Sequence, residues 1–147
     1  MELTCRAALP EEATEIFQLS VQMLDQYEDW QSLPREKVLN WMQEKIQTCI
    51  GEYTCVLCDG QKAGFYRFAP DGDAMELDDL YILPQYRGRG IGTAVLRKCI
   101  TQTNKPIFLY VFRENRRAVA LYQRMGWQVS REVGGTRLIM TKQMEEF

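Results

Sequence analysis

Apolar residues recur along this chain at two different periods, and the change from one to the other divides it. After a short opening strand over Leu3 to Ala7, the positions Ile16, Phe17, Ser20, Met23, Leu24 and Tyr27 repeat every three or four residues, as on one face of a helix. Pro10, Glu11 and Glu12 suit its first turn, where a missing N–H costs nothing and acids meet the positive end of the helix. The pattern breaks between Asp25 and Gln31. It resumes behind Ser32-Leu33-Pro34 with Val38, Leu39, Trp41, Met42 and Ile46, runs to about Cys49, and stops at Gly51. From Tyr53 the period is that of strands. Tyr53 to Cys58 and Gln61 to Phe68 flank Asp59-Gly60, a tight hairpin signal, and Met75 to Leu83 follows the turn Pro70-Asp71-Gly72-Asp73.

A helical pattern returns near Gly90 and lasts to about Gln102, with Ile91, Val95, Leu96, Cys99 and Ile100 on its apolar face. Ile107-Phe108-Leu109-Tyr110-Val111 is almost continuously apolar, the signature of a central strand covered on both faces. Asn115 opens a last helix carrying Ala118, Val119, Leu121 and Tyr122, which Gly126 closes. Trp127 to Val129 and Arg137 to Thr141 end the chain as strands joined across Gly134-Gly135. Hairpin-linked strands followed by strand–helix–strand units predict an α/β fold: a mixed, mostly antiparallel sheet of about seven strands with helices on both faces. With 147 residues, no repeat and no composition shift, residues 1–147 read as a single domain.

Composition narrows the chemistry. Eighteen basic and twenty acidic residues give a net charge of -2, which provides no general attraction to nucleic acid or to an anionic membrane. The chain holds no histidine, so a histidine base, a Ser-His-Asp triad and a histidine-bound metal are excluded, and no metal is expected. Of five cysteines only Cys55 and Cys58 form a CxxC, and on a strand residues three apart point to opposite faces, a poor arrangement for chelation or redox chemistry. They read as small buried residues of a reducing compartment. No charged-then-apolar leader and no apolar run of membrane-spanning length is present, so a cytoplasmic location is the default expectation.

The stretch richest in candidate chemistry is Gln85-Tyr86-Arg87-Gly88-Arg89-Gly90-Ile91-Gly92, set between a strand and a helix start. Idle N–H groups at a helix N-terminus, glycines that let phosphate reach the backbone, and two arginines make an anion site. The glycine spacing is not that of the dinucleotide fingerprint, and the P-loop Gly-Lys-Ser/Thr is absent.

Arg87-x-x-Gly90-x-Gly92, with Leu80-Tyr81-Ile82-x-Pro84 ahead of it and Asn115-x-x-Ala118-x-x-Leu121-Tyr122-x-x-x-Gly126-Trp127 behind, resembles the signature of the GCN5-related N-acetyltransferase (GNAT) superfamily. The resemblance covers essentially the whole chain and is weakest over residues 8–50. It implies an acetyl-CoA-dependent N-acetyltransferase; a non-catalytic acyl-CoA binding or sensing module is the alternative. By this resemblance the backbone of Arg87, Gly88, Arg89, Gly90, Ile91 and Gly92 takes the pyrophosphate of coenzyme A. Leu80, Tyr81 and Ile82 meet the pantetheine where the fourth and fifth strands splay beside a bulge, with an N–H near Leu80 polarising the thioester carbonyl. Asn115 also touches the cofactor, though as a helix N-cap it has an equally good structural task.

Acyl transfer to an amine needs a base and an acid, and without histidine the base is a carboxylate, a tyrosine or a water relayed by one. Glu76, Asp78 and Asp79 crowd one strand, and Glu76 stands where several family members carry a catalytic glutamate, so it ranks first and the two aspartates follow. Strict alternation puts Glu76 and Asp78 on one face and Asp79 on the other unless a bulge intervenes. The acids also suit recruitment of a cationic amine. The resemblance makes Tyr122 the general acid that meets the departing sulfur; a helix tyrosine packed on the sheet would look the same. Tyr27, Glu28 and Trp30 are the candidate acceptor contacts, for a small-molecule or peptide amine. Many family members pair through their last strands, which makes a homodimer one arrangement open to this chain.

Overall fold

A computed structural model describes residues 1–144. The elements follow as β1 (Leu3–Ala7), α1 (Ala13–Tyr27), α2 (Arg35–Thr48), β2 (Tyr53–Cys58), β3 (Gln61–Asp71), β4 (Ala74–Ile82), α3 (Ile91–Thr101), β5 (Ile107–Phe112), α4 (Arg116–Arg124), β6 (Gln128–Val133) and β7 (Arg137–Lys142). Pro10–Glu12 forms a 3₁₀ turn rather than the first turn of α1. The carboxylate of Glu12 accounts for this. It accepts from Leu9 N–H and Arg6 Nη1, both at 2.8 Å, and lies 2.8 Å from Lys62 Nζ, tying β1, the turn and β3 together. The Arg6 guanidinium holds this carboxyl down to about 2 against the opposing effect of burial.

The seven strands form one sheet in the order β1-β2-β3-β4-β5-β7-β6, antiparallel except between β4 and β5. The mixed, mostly antiparallel architecture read from the element order is therefore present. One face packs on α3 and α4 through Leu96, Ile107, Leu109, Trp127 and Met140, and the other on α1 and α2 through Ile16, Ile46, Tyr53 and Phe65. Cys55 joins the second core and Cys58 the first, as strand alternation requires, and the five cysteines are free. No helix among the described residues is long and apolar enough to cross a membrane.

Two departures from regular pairing position everything that follows. β4 and β5 are paired only at Met75–Ile107 and Glu76–Phe108, and beyond that point they separate. β5 is also not covered on both faces, as its apolar run suggests. Ile107, Leu109 and Val111 are buried against α3 and α4, while Phe108 and Phe112 are half-buried and Tyr110 is 47% exposed. The aromatic side chains are there for an open face: Tyr27 of α1 stacks on Phe112 with ring centroids 5.7 Å apart, and Phe108 meets Tyr110 edge-on.

Candidate active site

The gap between β4 and β5 opens into a cleft of about 650 Å³, lined by Leu80, Tyr81 and Ile82 on one side and by Asn115, Ala118 and Leu121 on the other. Residues of the α3 N-terminus and Tyr27 complete the lining. Gly88 (φ 77) and Gly90 (φ 78) both adopt the left-handed conformation that only glycine enters without strain, and Gly90 caps α3 without any side-chain bond. The first bond closing the helix is Ala94 N–H to Gly90 O, at 3.1 Å. The N–H groups of Gly88, Arg89, Gly90, Ile91, Gly92 and Thr93 consequently meet no backbone carbonyl among the described residues. This run differs by one position at each end from the expected Arg87 to Gly92. Arg87 N–H is already turned back onto Pro84 O (3.3 Å), and its Nε donates to Ile82 O (3.1 Å). Arg89 stacks over the Tyr86 ring at 5.2 Å, beside the loop it was expected to serve.

β4 carries the bulge. Arg67 pairs with Asp78 and Phe65 with Tyr81, so Asp79 and Leu80 together face Tyr66, and Asp79 has a φ of 51. The extra residue cancels the alternation expected of the acids: Asp78 and Asp79 both reach Lys45 of α2. Asp79 lies 3.2 Å from Lys45 Nζ and accepts from Tyr53 OH (2.5 Å) and Tyr81 OH (2.9 Å). Asp78 bonds Lys45 closely and lies 3.6 Å from Arg67 Nη1. Burial, reinforced by the neighbouring Asp79, pushes the Asp78 carboxyl up to about 6, and Lys45 offsets this only in part. Burial pulls Lys45 down, but the two aspartates outweigh it and raise it overall. Burial and the Asp79 charge both push the Tyr53 and Tyr81 phenols up. Glu76 accepts from Arg67 Nη1 at 3.2 Å, and Arg67 is shared with Glu52. Opposite the bulge, a Cβ on Gly64 would stand 2.3 Å from Tyr81 O, so only glycine lets β3 approach there.

Tyr122 lies in the α3/α4 core, tilted against the Trp127 ring at 6.1 Å, and is absent from the cleft lining. Burial first and the Asp78 charge second push its phenol up to about 12, so it stays protonated and able to donate at neutral pH. Asn115 has its expected place as the N-cap of α4, accepting from Ala118 N–H (3.4 Å), and also borders the cleft. Of the three acceptor candidates only Tyr27 reaches the cleft. Glu28, with a side chain 3% exposed, accepts from Thr136 Oγ1 at 2.7 Å and braces α1 to the β6–β7 turn. Trp30 donates to Asp25 and lies under Arg35, away from the cleft. Lys45, Tyr53 and Arg67 carried no sequence signal. Phe108 and Tyr110 carried one that pointed to a core, and Phe112 lies just beyond that run. No group of three or more Cys, Asp or Glu residues suited to a metal ion occurs among the described residues.

A family model described as Acetyltransferase (GNAT) family matches residues 11–127, which include both the loop and the bulged strand. The chain belongs to the GNAT family. Among curated relatives it is 38% identical over 61 residues to the thialysine N-epsilon-acetyltransferase of Mus musculus, covering 39% of this chain and 36% of the relative. It is 34% identical over 67 residues to an uncharacterized N-acetyltransferase of Methanocaldococcus jannaschii, covering 43% of this chain and 30% of the relative. The chain thus spans about a third of the length of these relatives. The crystal structure of the PaiA N-acetyltransferase of Thermoplasma acidophilum in complex with coenzyme A superposes with a TM-score of 0.71 at 20% identity, over 97% of this chain and 99% of that one. At that identity the likeness is one of fold.

Proposed function

We propose that this GNAT protein is an N-acetyltransferase that moves the acetyl group of acetyl-CoA directly to a primary amine of a small molecule or peptide. The observation that carries the reading is the run of six unpartnered N–H groups, Gly88 to Thr93, at the start of α3 and beside the β4–β5 gap. Such a run is a ready seat for a pyrophosphate. It combines unfilled donors with about half a positive charge from the helix, and its glycines leave no side chain in the way. The unpaired edge of β4 from Leu80 to Ile82 suits an extended amide-bearing arm.

Bound acetyl-CoA supplies the activated acyl group as a thioester. Transfer forms one C–N bond and breaks one C–S bond, and the protein handles the proton that leaves the amine and the proton the thiolate needs. Asp78 is the better-suited proton acceptor, because burial and the neighbouring Asp79 push its carboxyl up to about 6 in spite of its bond to Lys45. Tyr122, kept protonated by burial and adjacent in the chain to Leu121 of the cleft lining, is the donor that the family resemblance implies. The amine approaches over the open face of β5. Register puts Phe108 beside Glu76, and Tyr110 and Phe112 lie further along the same face toward the gap. Aromatic walls next to carboxylates suit an ammonium carried on an apolar body.

Calorimetry with acetyl-CoA, followed by measurement of thiol release across a panel of amines, tests the reading. Binding with release in the presence of at least one amine is expected. Absence of any affinity for coenzyme A would overturn it, and affinity without release from any amine would leave a binding module in its place.

A further inference from the structure

Among the described residues two that are not glycine have a left-handed backbone, Asp59 (φ 50) and Asp79 (φ 51). Asp59 occupies the two-residue turn between β2 and β3, where this conformation is routine. Asp79 sits inside a strand, where an L-residue persists in it only if its surroundings hold it there. Its carboxylate, 7% exposed, is met by Tyr53 of β2, Tyr81 of β4 and Lys45 of α2 at 2.5, 2.9 and 3.2 Å. The Tyr81 hydroxyl is in turn 3.0 Å from Ser20 Oγ of α1. Side chains of β2, α2 and its own strand β4 therefore meet on one carboxylate, and α1 joins them through Tyr81. A carboxylate engaged in this way is well suited to fixing a backbone.

What it fixes is the bulge. The left-handed turn at Asp79 puts Asp79 and Leu80 together opposite Tyr66 and brings Leu80, Tyr81 and Ile82 to the cleft wall. We infer that Lys45 and Tyr53 are positioning residues for acyl transfer: through the Asp79 carboxylate they pin the kink in β4, and the kink sets where the backbone from Leu80 to Ile82 meets the thioester. This rests on the acetyl-transfer reading above. It gives Asp79 a positioning task and gives α2 a part in the geometry of the cofactor side of the site.

Glycine adopts a positive φ without a side chain to hold it, whereas alanine does not, so the pair Asp79→Gly and Asp79→Ala separates backbone from carboxylate. Misplacing a reacting group by about 1 Å costs on the order of 100-fold in rate. For Asp79→Ala, kcat is expected to fall about 30- to 100-fold, with affinity for acetyl-CoA within about 3-fold of the parent. Asp79→Gly recovers kcat to within about 5-fold. Tyr53→Phe lowers kcat about 10-fold in the parent and by less than about 2-fold in the Asp79→Gly background, because the kink no longer needs it; Lys45→Met also frees Asp78, so its effect on the kink is read from the amide shifts instead. Equal losses for Asp79→Ala and Asp79→Gly would overturn the inference, since the carboxylate itself would then be what matters.

Backbone amide chemical shifts of Leu80 to Ile82 give a readout that needs no turnover. They stay at the parent positions in Asp79→Gly and move in Asp79→Ala and in the Lys45→Met/Tyr53→Phe double variant. Shifts that behave this way in a protein releasing no thiol would remove the acetyltransferase reading and leave the lock standing. An active parent whose Asp79→Gly shifts follow those of Asp79→Ala would remove the lock alone.

Discussion

Replacing Gly90 by glutamate separates the anion seat from the fold that carries it. A Cβ at Gly90 meets no atom within 4 Å, so the substitution is not blocked by contact. It is opposed by φ 78, which costs an L-residue about 1–2 kcal/mol. A carboxylate at the N-terminus of α3 returns about 0.3–1 kcal/mol through the helix dipole, so the net loss of stability should be less than about 2 kcal/mol. Affinity should change far more. A carboxylate about 6 Å from one phosphate charge, at an effective dielectric of about 20, costs about 3 kcal/mol, or roughly 100-fold in Kd. Gly90→Ala carries the backbone strain without the charge and serves as the control, with a loss of less than about 10-fold. Calorimetry with coenzyme A at low and high salt, together with thermal unfolding of each variant, gives both quantities. Salt should restore part of the loss in the glutamate variant and little in the alanine one. A folded Gly90→Glu protein that binds coenzyme A within about 3-fold of the parent would show that the phosphates lie elsewhere.

Tyr122→Phe should lower kcat about 10- to 1,000-fold at nearly unchanged affinity for acetyl-CoA in pre-steady-state assays, and a kcat near that of the parent would remove Tyr122 as the proton donor. Asp78 should show two opposite pH dependences. Its carboxyl is raised to about 6 in the folded protein, so the stability it contributes is complete below about pH 4 and lost as pH rises through 6; Asp78→Asn should abolish that slope in chemical denaturation. As a proton acceptor it must be ionised, so kcat/KM should fall as pH drops below about 6, and a flat profile down to pH 5 would exclude it. Glu12 acts in the contrary sense, its contribution being present above about pH 4.5 and lost as pH falls toward 2. Tyr110→Ala should raise the KM for the acceptor about 10-fold with no change for acetyl-CoA, as measured by steady-state thiol release; equal effects on both substrates would place the aromatic face outside the acceptor path.

The order of elements and the cofactor loop were legible in the sequence because both follow from local rules: the period of apolar residues, Asp-Gly and Gly-Gly turns, and glycines at a helix start. What was hidden depends on partners distant in the chain. The bulge could not be located from the strand's own residues, because a slip of one position is decided by how Tyr66 and Gly64 of β3 meet it. Strict alternation puts Asp78 and Asp79 on opposite faces unless a bulge intervenes; the bulge is there, and both reach Lys45, more than thirty residues earlier. Glu28 looked free for a substrate, but its partner Thr136 is 108 residues away. The aromatic positions of β5 had the apolarity of a core, and only the parting of β4 and β5 reveals that one face is left uncovered.

That parting makes the sheet two slabs, β1 to β4 and β5 to β7, zipped together over a single pair of residues on each side. A strand-like guest lodged in the seam would supply part of the ladder the protein itself leaves unwritten, so the guest would be a beam of the building as well as a visitor. Occupancy should then slow amide exchange along β5 as well as in the loop, and should raise the unfolding temperature in step with guest concentration.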